Sequence, residues 1–84
     1  MHDHPLQHPQ QLAPLLRALR RQAGLSQADL AARLGVSHQA ISQLEKQPER
    51  ATLERLLKVL AALRVDLLLR ARADAPKAPG QGDW

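Results

Sequence analysis

The chain has 84 residues, enough for one small domain but not for two independent cores. It contains no cysteine, which excludes a disulfide-rich secreted scaffold and a thiolate metal site. Its longest apolar runs are five residues, so no segment is predicted to cross a membrane. The polar N-terminus has no apolar region typical of a signal peptide. The expected location is therefore the cytoplasm.

The basic residues are concentrated in the middle of the chain. Residues 10–72 hold eleven Lys and Arg against five Asp and Glu, a net charge of +6. Residues 1–9 and 73–84 each contribute −1. This distribution favours a polyanionic partner that binds the folded part of the protein.

Composition divides the chain into three parts. Residues 1–9 are predicted to be a flexible arm, residues 10–72 a folded domain, and residues 73–84 a disordered tail with two Pro and two Gly. The tail ends in Trp84, the only aromatic residue of the chain. The core must therefore consist of Leu, Ala, Val and Ile, and the abundance of Leu and Ala favours helix over strand.

The three histidines of the arm suggest a metal site, but the residues around them do not support one. His2, His4 and His8 have no cysteine and only one acidic residue nearby, Asp3. No metal ion and no cofactor is therefore expected.

Helical spacing predicts a first helix. Pro14 is tolerated only in a first turn, so regular helix is predicted to begin near Leu12 or Ala13. Gly24 is predicted to end the helix in the left-handed conformation, followed by Leu25 as an apolar contact. The apolar stripe at i, i+3, i+4, i+7 and i+11 consists of Leu12, Leu15, Leu16, Leu19 and Ala23.

Three further helices are each preceded by a Ser or Thr that can cap them. Ser26 and Asp29 form a variant of the capping box at the start of the second helix, which Gly35 is predicted to end. Ser37 is expected to cap the third helix and Thr52 the fourth. The apolar positions assigned to these helices are Ala28, Leu30, Ala31 and Leu34, then Ala40, Ile41 and Leu44, then Leu53, Leu56, Leu57, Leu60 and Leu63.

After the fourth helix the apolar period changes to two. Residues 65–72, VDLLLRAR, alternate as a strand does, yet the chain contains no second strand for pairing. Pairing with the same strand of a second copy, with Leu68 near the two-fold axis, is therefore predicted. The residues assigned to this dimer strand are Val65, Leu67, Leu68 and Leu69.

Residues 27–46, QADLAARLGVSHQAISQLEK, fit a helix-turn-helix. The small Ala31 lets two helices cross closely, and Gly35 supplies the positive φ that the turn needs. The apolar anchors of the crossing are Val36, Ile41 and Leu44. The polar positions between them suit the reading of base edges in a major groove, although a plain helical hairpin with a solvated face is the alternative. These positions are Ser37, His38, Gln39, Ser42 and Gln43.

The segment LRRQAGLSQADLAARLGVSHQAISQLE resembles the Xre/Cro family of phage-repressor-type DNA-binding domains. The elements S-Q-x-x-L-A and V-S-x-x-x-I-S-x-x-E carry the resemblance, which extends over about residues 12–63. It implies an all-α domain of four to five helices. In addition, one C-terminal β-strand is expected to pair with the same strand of a second copy in a homodimer. The layout of fourth helix, strand and tail is similar to the HipB-like antitoxins, which are dimers, repress their own operon and bind a HipA-like kinase toxin.

The resemblance implies roles for single residues. It assigns base contacts to His38, Gln39 and Ala40, and phosphate contacts to Gln27 and Ser37. Gln27 is also implied to brace the third helix. An imidazole can donate to guanine N7 or O6, and an amide can pair with adenine. Ser42 and Gln43 face bases, phosphates or solvent. The basic residues that are candidates for phosphate contacts are Arg17, Arg21, Lys46 and Arg50.

Two further roles concern the interior and the tail. Arg20 and Glu45 are implied to form a structural salt bridge between the first and third helices. Trp84, at the tip of a flexible tail, is expected to anchor the chain in a pocket of the toxin.

These observations predict a sequence-specific transcriptional repressor, bound as a homodimer to a palindromic double-stranded operator. It is expected to act as the antitoxin of a HipA-like serine/threonine kinase, to regulate its own operon, and to be nucleoid-associated when bound to DNA. It is not expected to be an enzyme, since adjacent Ser37 and His38 cannot form a Ser–His–acid triad. The alternatives are a stand-alone Xre-type repressor without a toxin and a protein-interaction module with a vestigial helix-turn-helix.

Overall fold

The computed structural model describes residues 3–74, so the predictions on His2 and on residues 75–84, including Trp84, lie outside the described part. It contains four α-helices: α1 (Leu12–Gln22), α2 (Gln27–Leu34), α3 (His38–Lys46) and α4 (Leu53–Ala62). Two short 3-10 turns precede α1 and α4. The all-helical fold is confirmed, and none of the described helices has the length and apolar character needed to cross a membrane.

The first helix begins where the proline rule predicts. A 3-10 turn, Pro9–Gln11, leads directly into α1 at Leu12. Pro14 is thus the third residue of the helix, where a missing N–H removes no intrahelical bond. The Gln11 side chain accepts hydrogen bonds from the backbone N–H of Gln7 and His8, which fixes the path of the arm into the turn.

The predicted caps are all present. The Ser26 hydroxyl accepts the N–H of Asp29 at 3.0 Å, and the Asp29 carboxylate accepts the N–H of Ser26 at 3.0 Å. The backbone N–H of Ser26, together with its hydroxyl, lowers the pKa of the Asp29 carboxyl. Ser37 and Thr52 likewise accept a backbone N–H in the first turns of α3 and α4. Each of these three helix starts is therefore fixed by local sequence.

Left-handed residues end three of the helices. Gly24 and Gly35 have φ of 74° and 68° and close α1 and α2, as predicted. Arg64, with φ of 61°, closes α4 in the same way, although a non-glycine residue there costs about 1–2 kcal/mol. Val65 donates its N–H to the Leu60 carbonyl at 2.9 Å and packs against the core. Val65, assigned by its alternation to the strand, thus completes the end of α4.

One apolar cluster with contributions from all four helices forms the core. Its buried members are Leu16, Leu30, Ala31, Ile41, Leu44, Val59, Leu60 and Leu63. Fully burying a leucine-sized side chain stabilises a fold by about 1.5–3 kcal/mol, so this cluster supplies most of the driving force for folding.

Several apolar residues that were assigned to the inner faces of the helices are exposed in the structure. Leu53 and Leu57 are 63% and 43% exposed, whereas Val59 is buried. The buried stripe of α4 runs through Leu56, Val59, Leu60 and Leu63, at i, i+3, i+4 and i+7, so the other two leucines lie at its edge. Ala23, directly after the end of α1, and Ala28, in the first turn of α2, are also exposed.

The segment after Val65 stands apart from the core. Within residues 3–74, no backbone hydrogen bond involves a residue beyond Val65. Leu67, Leu68 and Leu69 are 46%, 78% and 93% exposed. A single described chain therefore contains no strand here, and three consecutive leucines remain uncovered.

Candidate nucleic-acid interface

The packing of α2 against α3 has the geometry of a helix-turn-helix. Ala31 is buried at the crossing, and its carbonyl accepts the N–H of Val36 at 3.0 Å across the Gly35 turn. Ile41 and Leu44 are buried beneath α3, and Val36 packs against the same core. The predicted anchors therefore fix α3 with one face inward and the opposite face free.

The free face of α3 carries polar side chains. Gln39, Gln43 and Lys46 follow each other at i, i+4 and i+7 and are all exposed. Ser37 and His38 are exposed at the N-terminus of the helix. The remaining candidates on α3, Ala40 and Ser42, are half-buried. We call this surface, residues 37–40, 42, 43 and 46, the polar edge of α3.

A buried ion pair holds α3 to α1. Arg20 Nε donates to Glu45 Oε2 at 2.6 Å, and Arg20 Nη2 donates to Glu45 Oε1 at 3.3 Å. The Arg20 and Glu45 side chains are only 10% and 3% exposed. Arg20 Nη1 also donates to the Leu25 carbonyl at 2.9 Å, in the connection between α1 and α2. The structure thus contains the salt bridge that the family resemblance implies, and it joins three segments at once.

Hydrogen bonds extend from this ion pair to the polar edge. Gln27 Nε2 donates to Glu45 Oε1 at 3.1 Å, and Gln27 Oε1 lies 2.9 Å from His38 Nε2. Arg20, Glu45, Gln27 and His38 therefore form one continuous chain from the interior to the surface, which we call the polar relay. Among the described residues, no buried side-chain nitrogen or oxygen lacks a hydrogen-bond partner.

The other predicted site residues are not tied to the polar relay. Within residues 3–74, Arg17, Gln39, Gln43 and Lys46 make no side-chain hydrogen bond or ion pair, so their polar groups are available to a ligand. Arg17 is half-buried on α1, and Lys46 is exposed at the end of α3. In this same stretch no cluster of three or more His, Asp or Glu residues is arranged to hold a metal ion.

The resemblance implies that Gln27 braces the third helix, and in the structure its partners there are Glu45 and His38. Gln27 and His38 are each the first residue of their helix, directly after a capping serine. The 2.9 Å between Gln27 Oε1 and His38 Nε2 shows that these two first turns come together. The paired Ser-Gln and Ser-His sequences are the signal from which this contact could have been predicted.

The sequence matches a known family model, described as Helix-turn-helix, over residues 16–69. Antitoxin HipB of Escherichia coli O6:H1 is 33% identical over 76 residues, which cover 89% of this chain and 81% of the relative. The chain belongs to the HipB-like antitoxins of the helix-turn-helix family. Antitoxin HipB of Escherichia coli strain K12 is 34% identical over 61 residues, which cover 73% of this chain and 69% of the relative.

Solved structures show the same similarity. The HipB of a HipB–O1–O2 complex has 31% identity and a TM-score of 0.73, over 81% of this chain and 99% of that one. A chain of a HipA–HipB–O2–O3 complex has 31% identity and a TM-score of 0.72, over 81% of this chain and 96% of that one. The helical arrangement of this family member is therefore that of HipB.

The ion pair at the centre of the polar relay yields a first prediction. Glu45→Ala leaves the Arg20 guanidinium buried without its counter-charge, so we expect a loss of about 3–5 kcal/mol in the free energy of unfolding. Glu54→Ala is the matched control, because Glu54 pairs with Lys58 at 3.6 Å on an exposed face, where about 0.3–0.5 kcal/mol is expected. Urea denaturation followed by circular dichroism measures both. Equal losses in the two variants would contradict the structural role of the ion pair.

Proposed function

We propose that this chain is a sequence-specific DNA-binding repressor that acts as the antitoxin of a HipA-like kinase toxin and regulates its own operon. The observation that carries the proposal is the polar edge of α3, which is exposed and held rigidly by buried contacts. The +6 charge of residues 10–72 supports a polyanionic ligand for this edge. Binding to its own operon would bring the chain to the nucleoid.

In this proposal α3 lies in the major groove of an operator. The Gln39 amide pairs with adenine, and Ala40 contacts a thymine methyl group. Ser42 and Gln43 contact bases or phosphates one turn later. The groups expected at phosphates are the Ser37 hydroxyl, the Gln27 amide and the basic side chains of Arg17 and Lys46.

The leucines after α4 support a homodimer. Leu67, Leu68 and Leu69 line one open groove together with Leu6 of the arm and the apolar stripe of α1. A contiguous apolar surface of this kind is rarely left exposed in a monomer. Pairing of residues 65–72 across a two-fold axis would satisfy their backbone groups and cover these leucines, so residues 10–72 would serve both DNA binding and dimerisation.

The similarity to the HipB of a HipA–HipB–O2–O3 complex supports a kinase toxin as partner. Trp84 is the large apolar side chain available to a toxin pocket in residues 73–84. We propose that this contact assists contacts of the folded domain rather than replacing them.

The DNA proposal predicts two different mutational effects. Gln39→Ala should cost about 1–3 kcal/mol of binding free energy and relax the preference at one base position. Arg17→Ala should weaken binding to all sequences alike, because phosphates carry no sequence information. Gel-shift titrations with duplexes from the region upstream of the gene, at two salt concentrations, measure both. An unchanged base preference in Gln39→Ala would show that the register of α3 on DNA is wrong.

The dimer proposal predicts the effect of a proline. Leu68→Pro removes an N–H from the paired strands and should convert the dimer to monomers. The helical fold should persist, since Leu68 makes no backbone hydrogen bond within its own described chain. Leu68→Val keeps the N–H and is the matched control. Sedimentation equilibrium at micromolar concentration is the measurement, and a monomeric unmodified protein there would contradict the proposal.

The toxin proposal predicts a selective effect of the tail. Trp84→Ala should weaken binding to the cognate kinase by about 2 kcal/mol or more, the loss typical of a buried aromatic anchor. Dimerisation and DNA affinity should not change. Lys77→Ala in the same tail is the control. Calorimetric titration of each variant with the toxin gives the answer, and equal toxin affinity of Trp84→Ala and the unmodified protein would leave Trp84 without this role.

A further inference from the structure

The polar relay has a fixed direction of hydrogen bonding. Arg20 is a permanent donor, so the Glu45 carboxylate beside it is an acceptor on both oxygens. The end of the Gln27 amide that faces Glu45 must therefore be its NH₂ group. This orientation turns the Gln27 carbonyl oxygen toward His38, 2.9 Å from Nε2. Since a carbonyl oxygen only accepts, His38 Nε2 must carry the proton.

The other ring nitrogen of His38 follows from this assignment. A neutral imidazole has one donor and one acceptor, so a proton on Nε2 leaves Nδ1 with a lone pair. Nδ1 makes no hydrogen bond within residues 3–74, and His38 is exposed on the polar edge of α3. The buried ion pair thus determines, through Gln27, that the free group of His38 is an acceptor.

We propose that His38 selects a base with a hydrogen-bond donor, adenine or cytosine, on the strand that it contacts. In the major groove adenine offers N6–H₂ and cytosine N4–H₂, whereas guanine and thymine offer acceptors to the same approach. This inference rests on the proposed DNA-binding function and names one element of its specificity. It replaces the expectation from sequence that the imidazole donates to guanine.

Gln27 is the positioning residue in this scheme, because it acts on the base only through His38. Removing its amide frees the ring to rotate and to present either nitrogen, so the preference at one base pair should disappear. Glu45 keeps its partner without Gln27, since Arg20 donates to both of its oxygens. A Gln27 variant should therefore retain the fold.

The first experiment measures the ring of the free protein. Nitrogen-15 NMR of the imidazole at about pH 8.5, where an imidazole is neutral, distinguishes the two tautomers. We expect His38 to be protonated on Nε2 and bare on Nδ1. The opposite pattern would overturn the inference whatever the protein binds.

The second experiment measures the base preference. The probe is a pool of duplex oligonucleotides with two randomised half-sites, selected at the same pH of about 8.5. The base pair whose preference disappears in His38→Ala is the one that His38 reads. At that base pair the unmodified protein should prefer adenine over 2-aminopurine, or cytosine over 2-pyrimidinone, by about three- to tenfold, the range of one hydrogen bond, because these analogues lack the major-groove amino group.

A variant of the positioning residue completes the test. Gln27→Met, similar in length but without an amide, should reduce this preference to near unity and leave the preference due to Gln39 intact. Gln22→Met is the matched control, since Gln22 lies at the end of α1 and outside the polar relay. Thermal unfolding checks that both variants fold.

The outcomes separate the inference from the function on which it rests. Equal affinity for the base and for its analogue without the amino group, or a preference unaffected by Gln27→Met, would overturn the role of His38 while DNA binding stands. Failure of the unmodified protein to enrich any duplex would overturn the proposed function and this role together. The tautomer found by NMR would then still report whether the polar relay has the direction assigned.

Discussion

Arg20 reaches from the last turn of α1 to Glu45 in the last turn of α3, and the position of the candidate DNA-reading helix depends on this contact. The guanidinium binds both carboxylate oxygens and the Leu25 carbonyl, so three segments are fixed by one side chain. Burying two charges is costly, and it is tolerated here because the nearby polar groups are paired. Removing either partner would leave the other charge buried and unpaired, so the arrangement of these three segments depends on the pair.

This arrangement connects the interior of the domain to its surface. The hydrophobic cluster under α3 sets the depth of the helix, but apolar contacts have no direction and would tolerate small rotations. The polar relay adds direction, since each donor in it meets a particular acceptor. As a result, Gln27 is held between Glu45 and His38. The first turn of α3 is thereby pre-organised, which reduces the entropy lost when it binds.

Within residues 3–74, the segment after Val65, in contrast to α3, is not held by hydrogen bonds to the rest of the domain. α4 ends at a left-handed Arg64, and Val65 is the last residue that packs on the core. Beyond it, exposed leucines make no backbone hydrogen bond within the described chain. The domain is therefore complete in its helices and incomplete at this surface. A second copy is the partner we favour, because identical strands can satisfy each other in a symmetric pair.

The local structure could be predicted from sequence because its causes are local. Ser26, Ser37 and Thr52 cap the helices that follow them, and Gly24 and Gly35 end two helices, as their side chains and backbone freedom require. The family resemblance further implied the pair of Arg20 and Glu45. These signals were sufficient for the helix order and for the polar edge of α3.

Tertiary structure decided what depends on contacts between distant residues. Two leucines of α4, Leu53 and Leu57, fit an apolar stripe yet lie outside, because the direction in which the helix faces is set by its neighbours and not by its own spacing. No sequence pattern signals that Arg64 would adopt positive φ. The ring nitrogen of His38 that carries the proton depends on Gln27 and Glu45, which lie eleven and seven residues away in the sequence. Gln27 contacts both Glu45 and His38 only because α2 and α3 pack together. The sequence determined which helices form and which polar side chains they carry. The packing of the helices determined which atoms of those side chains face outward.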